Sequence, residues 1–384
     1  MKILYMTPFI YAAAGTERVL SMKANYLVRE AGMEVVIVTT DQKERKNFFD
    51  FDERIKHYDL GLNYEDDFNR NILSKYTAHK KKNNIYRKKL SEIISQEKPD
   101  VCVSLFGREI EFIGKMKLSC KTVAELHFNK LFRYHIIAAS HQGWLWKLVG
   151  KYRTWQLIKE TRCFDRVVVL TKQDKKEWDK TNDNVYQIYN PVPCKSEIVS
   201  TLDAKTIISV GRLSYQKNYH SLIRAWKLVY KKHPDWTLNI YGDGELRDSL
   251  QTEIDRNELG QSLHLCGRTN EVFMKYLQSS AFVMTSTFEG FPMVLLEAAT
   301  FGLPLISYDC YCGPRDIIDN NQNGYIVPIN KEAELADAIC KVIEDESLRR
   351  KMGAQSRNTS SFFSQEKVLP LWPEFFKNLV DSSL

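Results

Sequence analysis

The sequence predicts an α/β protein made of two open, largely parallel sheets, one in each half of the chain. Three observations carry that expectation. Short, near-continuous apolar runs alternate with helical stretches along most of the sequence. The alternation stops at Tyr189-Asn190-Pro191-Val192-Pro193, where two prolines fall in three residues, and then restarts. At 384 residues the chain is also too long for one typical core, so two domains are expected.

In the first half, residues 2–6 form the expected opening strand, followed by a loop through Gly15 and a helix from about Thr16 to Glu30, with Gly32 at its end. Residues 35–39, 101–105, 122–126 and 166–170 are further strand candidates, with helical stretches between them. The second series runs through residues 206–210, 237–241, 263–266, 281–285 and 304–308. Domains of 1–190 and 191–363 follow, and an aromatic helix from about 364 to 384 carries Trp372, Phe375 and Phe376. No stretch reaches the ~20 apolar residues that a membrane span needs, and the first ten residues read as a strand rather than a signal peptide.

Charge is uneven. Residues 1–190 hold 34 Lys and Arg against 24 Asp and Glu, whereas residues 191–384 hold 21 against 24. The basic half includes Lys80-Lys81-Lys82, Arg87-Lys88-Lys89 and an aromatic-basic tract from His127 to Arg166 with Trp144, Trp146, Tyr152 and Trp155. That combination fits either a solvated helix face or contact with an anionic membrane surface; no recognition motif supports nucleic acid as a partner. The eight cysteines are scattered, and only Cys310 and Cys312 lie close, without the spacing or ligands of a zinc site. Reduced thiols in a cytoplasmic setting are the expectation.

The most informative stretch runs from Ser286 to Glu297. A buried strand at 281–284 leads to Gly290, which permits a sharp bend, and Pro292 suits a first helical position. Apolar residues at helical spacing then continue to Thr300 and end near Gly302-Leu303-Pro304. The first turn of such a helix leaves the amides of Met293 and Val294 available to an anion. Glu289 precedes that turn, and Glu297 lies roughly 7–8 Å beyond Pro292 along the axis. A phosphate site with a carboxylate on either side suits a ligand bearing hydroxyls at both ends of a diphosphate, as in a nucleotide sugar.

This string resembles the E-x7-E signature of glycosyltransferase family 4, retaining enzymes of the GT-B fold. The segment to Asp316, with Leu303-Pro304-Leu305-Ile306-Ser307 and Gly313-Pro314-Arg315-Asp316, is similar to bacterial members that build surface polysaccharides. The resemblance implies two Rossmann-like domains facing across a central cleft, with the terminal helix returning to the first. It implies that the first domain binds the acceptor and the second the donor nucleotide sugar. It also implies that Glu297 holds the ribose hydroxyls and Glu289 those of the sugar, with Phe291, Met293 and Val294 beside them.

A second constellation is Val210-Gly211-Arg212-Leu213 followed by Lys217-Asn218. Its glycine lets backbone approach a ligand, and two cations five residues apart match a diphosphate and the charge that builds on the departing nucleotide. The family places its phosphate-binding Arg and Lys in this context, which implies that role for Arg212 and Lys217. Arg268 and Thr269, after the strand at 263–266, fall where the family lines its nucleobase pocket. Asp243 in Gly242-Asp243-Gly244 is explained as a helix cap, and that tripeptide lacks the glycine spacing of a nicotinamide-binding loop. In the first half, Ala13-Ala14-Gly15-Thr16-Glu17-Arg18 matches the family's glycine-rich loop, with Ala14 standing in for the first glycine; Gly15 is expected to bring its amide beside a phosphate. His127, at a strand end, falls where the family carries an active-site histidine that donates a hydrogen bond to the transferred sugar or the transition state. Asp50-Phe51-Asp52 has the spacing of a metal-binding motif from the other major glycosyltransferase fold, but reads as solvated loop carboxylates.

The expectation is a retaining sugar transferase that requires no cofactor and no metal. Its donor would be a UDP-sugar, UDP-hexose or UDP-N-acetylhexosamine, and its acceptor a glycan or lipid-linked oligosaccharide. It would sit in the cytoplasm, peripheral to the inner membrane. Rival readings are a non-catalytic nucleotide-sugar-binding subunit, a sugar-nucleotide epimerase or phosphorylase of the same architecture, and, from charge alone, a nucleic-acid binder.

Overall fold

In the computed structural model, which describes residues 1–67, 72–140 and 143–382, all paired strands lie in two parallel sheets. The first half supplies β1 (Lys2–Thr7), β2 (Glu34–Thr39), β3 (Lys56–Asp59), β4 (Val101–Ser104), β5 (Lys121–Leu126), β6 (Arg166–Val169) and β7 (Val185–Gln187). The second half supplies β8 (Thr206–Val210), β9 (Thr237–Tyr241), β10 (Leu263–Gly267), β11 (Ala281–Met284), β12 (Leu305–Tyr308) and β13 (Gly324–Val327). Strand order is β3-β2-β1-β4-β5-β6-β7 in one sheet and β10-β9-β8-β11-β12-β13 in the other.

Strands covered by helices on both faces must be apolar at every position, and alternate residues must serve different cores. The first sheet does this. Ile3, Tyr5, Val35, Ile37, Val101 and Val103 enter one hydrophobic cluster, while Leu4, Met6, Val36, Val38 and Cys102 enter the cluster on the opposite face. The terminal helix Leu371–Asp381 buries Trp372, Phe375, Phe376 and Leu379 in the first of these clusters. In the second sheet, Ile207, Leu238, Ile240 and Val283 pack with Leu222, Trp226 and Val229 of the helix Tyr219–Lys232.

Two compact units result. One comprises Met1–Tyr134, Lys147–Pro191 and Glu366–Leu384; the other comprises His135–Trp146 and Val192–Gln365. His141 and Gln142 of the aromatic-basic tract, and Ser383 and Leu384 of the terminal helix, fall outside the described residues. Among the described residues no helix is long and apolar enough to cross a membrane.

Candidate active site

In the second unit, β8 is flanked by β9 on one side and β11 on the other, so the direction of chain progression reverses there. Open α/β sheets bind ligands outside the carboxyl ends of the strands at such a point. The loops leaving β8 and β11 are 211–217 and 285–292, the two stretches singled out by their chemistry. Gly242 has φ +144°, and a Cβ there would lie 1.9 Å from the Gly211 carbonyl oxygen. Backbone therefore runs against backbone where β8 and β9 end, which only glycine permits. Asn218, in left-handed conformation at φ 52°, then turns the chain into the helix Tyr219–Lys232.

The two loops are tied together. Thr285 Oγ1 donates to the Lys217 carbonyl at 2.9 Å, the Thr287 amide to the Gln216 carbonyl at 2.8 Å, and Gln216 Nε2 to the Phe288 carbonyl at 2.9 Å. Across this seam Lys217 Nζ lies 2.6 Å from Glu289 Oε1, both side chains being largely buried. Burial pulls the Lys217 amine down, but Glu289 more than offsets it, so the net shift is upward and the amine stays charged. Arg212 projects outward with its side chain 74% exposed, 3.3 Å from Glu245.

The acidic motif continues into the helix Met293–Thr300. Pro292 is its N-cap, with φ −77° and ψ 86°, rather than the expected first helical residue. Gly313, at φ +104°, packs closely against this proline: a Cβ on it would come 2.2 Å from Pro292 Cδ. The Leu295 amide bonds the Pro292 carbonyl at 2.9 Å. The amides of Met293 and Val294, one step earlier, have no acceptor within the helix by its geometry. Glu297 is buried and accepts from Tyr276 Oη at 3.1 Å. Phe291 is buried against Phe363, with ring centroids 5.7 Å apart. Arg268 is exposed and Thr269 half-buried; both follow β10, two strands from β8, after Gly267 at φ +75°.

The first unit holds the remaining candidates. Gly15 opens the helix Gly15–Arg29, and an added Cβ would meet nothing within 4 Å, so packing alone does not require glycine there. His127 follows β5 with its Nε2 3.0 Å from Glu125 Oε1. Glu125 is fully buried and hydrogen-bonded to the equally buried Lys23. Burial pushes the Glu125 carboxyl up, but Lys23 and then His127 outweigh it and leave it at about 2. Asp52 is engaged by Arg29 and Arg54, each at 2.8 Å, which hold its carboxyl well below the ordinary range. Asp52 is therefore ion-paired and largely shielded rather than solvated as expected, whereas Asp50 is exposed.

Several participants escape a reading of the sequence alone: Gln216, Tyr276, Lys23, Glu125 and His135, whose ring stacks on Phe288 at 5.0 Å within the second unit. A signal existed for Glu125. It precedes His127 by two residues at a strand end, and that spacing puts both on one face.

Two parallel α/β sheets, one with a cation–carboxylate seam at its switch point, make up a GT-B fold. Residues 195–359 match the family model described as glycosyl transferases group 1. An uncharacterized glycosyltransferase of Haemophilus influenzae is 29% identical over 378 residues, 97% of this chain and 98% of that protein. A Campylobacter jejuni α-1,4-N-acetyl-D-galactosaminyltransferase, named for a diNAcBac-PP-undecaprenol-linked acceptor, is 25% identical over 97% of both chains. Among solved structures, the pneumococcal O-GlcNAc transferase GtfA in complex with UDP and GlcNAc superposes with a TM-score of 0.74, at 16% identity and over 99% of both chains. The segment of residues 195–359 belongs to the group 1 glycosyltransferases, and the chain has the GT-B fold. It is a nucleotide-sugar-dependent glycosyltransferase of the retaining hexosyltransferase class.

Proposed function

We propose that this enzyme moves a hexose or N-acetylhexosamine from a UDP-sugar to a glycan or lipid-linked oligosaccharide used in bacterial surface polysaccharide synthesis. The observation that carries the donor reading is the seam of Lys217 and Glu289 at the carboxyl ends of β8 and β11, with Arg212 on the same loop. The domain of residues 191–363 binds the donor: Arg212 and Lys217 grip the diphosphate with the amides of Met293 and Val294, Glu289 holds sugar hydroxyls and Glu297 the ribose. Arg268 and Thr269 border the base. The domain of residues 1–190, with the terminal helix, receives the acceptor, bringing Gly15 to a phosphate and His127 to the sugar. UDP as the nucleotide is supported by its presence in the complex of the pneumococcal transferase, and a polyprenyl-linked acceptor by the name of the Campylobacter relative.

In the reaction the bond from the anomeric carbon to the β-phosphate oxygen breaks, and a bond from that carbon to an acceptor oxygen forms on the same face. The acceptor hydroxyl proton passes to the departing phosphate oxygen. This route needs no hydrolase-type carboxylate pair, and the charge that develops on UDP falls to Arg212 and Lys217.

The helix Trp144–Thr161 supports contact with an anionic membrane surface. Trp144, Leu145, Leu148, Tyr152 and Trp155 are each at least half exposed, and Lys147, Lys151 and Lys159 stand among them. Gly150, Thr154 and Leu157 occupy its buried side. Aromatic and basic side chains on one exposed face suit the cytoplasmic lipid interface.

The test is a thermal-shift panel of UDP-glucose, UDP-galactose, UDP-N-acetylglucosamine, UDP-N-acetylgalactosamine and their GDP counterparts, followed by transfer of radiolabel to membrane lipid extract. Stabilisation by one UDP-sugar and label in lipid are expected; no response to any UDP compound would end the donor assignment. Sedimentation with liposomes should rise with anionic lipid fraction and fall in Lys147→Glu/Lys151→Glu, and indifference to both would end the membrane assignment.

A further inference from the structure

The first unit holds four ionisable side chains in its interior near the end of β5: Lys23, Glu125, His127 and Glu17, exposed by 1%, 0%, 8% and 7%. Buried charges persist only when paired. Lys23 bonds Glu125, and its ammonium is enclosed by aromatic faces, 3.8 Å from the Trp372 ring centroid and 4.9 Å from that of Tyr5. Trp372 comes from the terminal helix, so that helix closes the pocket around the ammonium. The pairing consumes one oxygen of Glu125. The other, Oε1, is buried 3.0 Å from His127 Nε2, itself buried, without a well-aligned hydrogen bond between them. Active-site contacts are often loose in this way before a ligand tightens them.

We propose that Glu125, kept ionised by Lys23, is a positioning residue that turns the His127 ring so that Nε2 faces the carboxylate and Nδ1 is presented to a substrate hydroxyl. This rests on the reading that His127 lies at the transferred sugar. The hydrogen-bond partner of one ring nitrogen decides which nitrogen carries the proton. With an anion behind Nε2, the neutral ring holds its proton there, and Nδ1 offers a lone pair. The expectation that His127 donates a hydrogen bond is thereby reversed for the neutral ring: His127 accepts from a hydroxyl and fixes its direction. No proton is transferred. Lys23 serves this arrangement indirectly, since an unpaired carboxylate at this depth would take up a proton and lose its hold on Nε2.

The experiment compares wild type, His127→Ala, Glu125→Gln and the double variant Lys23→Met/Glu125→Gln. The readouts are melting temperature, UDP release from the four UDP-sugars above, and imidazole 15N shifts of histidine-labelled protein, with His127→Ala assigning the signal. In ligand-free wild type the His127 proton should sit on Nε2; a proton on Nδ1 would overturn the proposal without any substrate. Glu125→Gln strands a buried ammonium and should melt early, whereas the double variant removes both charges and should regain stability. If Glu125 positions the ring, the double variant still loses about 10–100-fold in kcat with KM changed less than about threefold, and its His127 tautomers mix. Recovery of full kcat together with stability would reduce the pair to a structural one. Full activity in His127→Ala would instead sink the reading of His127 at the sugar, leaving the tautomer result to stand by itself.

Discussion

Lys217 Nζ sits 2.6 Å from Glu289 Oε1 across the seam that joins the loops leaving β8 and β11. Each side chain is proposed to serve a different part of the donor, yet the two neutralise one another. A diphosphate bound here as proposed would meet an ammonium held by the Glu289 carboxylate, on backbone fixed by the bond from Thr285 Oγ1 to the Lys217 carbonyl. Such binding would add a second anionic partner to a fixed cation with little reorganisation, as preorganised electrostatic stabilisation of a leaving nucleotide requires.

The two residues should separate experimentally. If Lys217 grips the diphosphate as proposed, Lys217→Ala removes a charge-assisted contact and leaves Glu289 without its cation, so UDP affinity measured by calorimetry should fall about 10–100-fold. Glu289→Gln should leave UDP affinity within about threefold, because UDP carries no sugar, while turnover of the UDP-sugar drops by at least about 100-fold. Equal losses of UDP affinity in both variants would remove the division of labour.

Glu297 presents a parallel case with a different partner. Tyr276 Oη donates to its Oε2 at 3.1 Å and sets the carboxylate's orientation. Tyr276→Phe should cost one neutral-to-charged hydrogen bond, lowering UDP affinity about 3–10-fold while the fold survives. Glu297→Ala should cost more, in both affinity and turnover. The discriminating ligand is 2′,3′-dideoxy-UDP: wild type should bind it more weakly than UDP, and Glu297→Ala should bind the two alike.

Two glycines should respond in opposite ways. Gly242→Ala forces a methyl to within 1.9 Å of the Gly211 carbonyl at a strained φ of +144°, so the backbone leading to Arg212 must move. A loss of about 2–4 kcal/mol in stability, with weakened UDP binding, is expected in denaturant titration. Gly15→Ala meets nothing within 4 Å and stands at the head of a helix, so stability should hold or rise slightly. If the Gly15 amide approaches a donor phosphate, its turnover should still fall at least about tenfold; unchanged turnover would remove Gly15 from the site.

How much of this was legible in the sequence follows burial and chain distance. β8 and β9 match the expected strands residue for residue, because sheet interiors demand apolar runs. The strands that escaped are β3, β7 and β13, all at sheet edges, where partial exposure permits segments such as Lys56-His57-Tyr58-Asp59 that carry no apolar signal. At the candidate site, Glu289 and Glu297 could be read because one strand-turn-helix holds both. Tyr276 lies 21 positions from Glu297, and Lys23 lies 102 from Glu125. Nothing local to Lys23 marks it as interior, since a lysine within a helix is ordinarily a surface residue; only the parallel pairing of β1, β4 and β5 brings Glu125 beneath it.

The Lys23–Glu125 pair predicts a dependence of stability on pH that changes sign when the cation is removed. In wild type, Glu125 sits at about 2 in the folded protein, below the ~4.3 of an unfolded glutamate. A depressed folded value means the unfolded chain binds the proton first. The contribution is therefore whole above about pH 4.3 and lost as pH falls toward 2. Lys23→Met leaves a carboxylate in the core without its cation and should cost about 3–5 kcal/mol at neutral pH. Desolvation then favours the protonated acid in the fold, so the variant's deficit against wild type should shrink as pH is lowered from 7 toward 4, read from chemical denaturation at each pH. A deficit that stays constant over that range would mean that Lys23 stabilises the core by packing against Trp372 and Tyr5 rather than by holding Glu125 ionised.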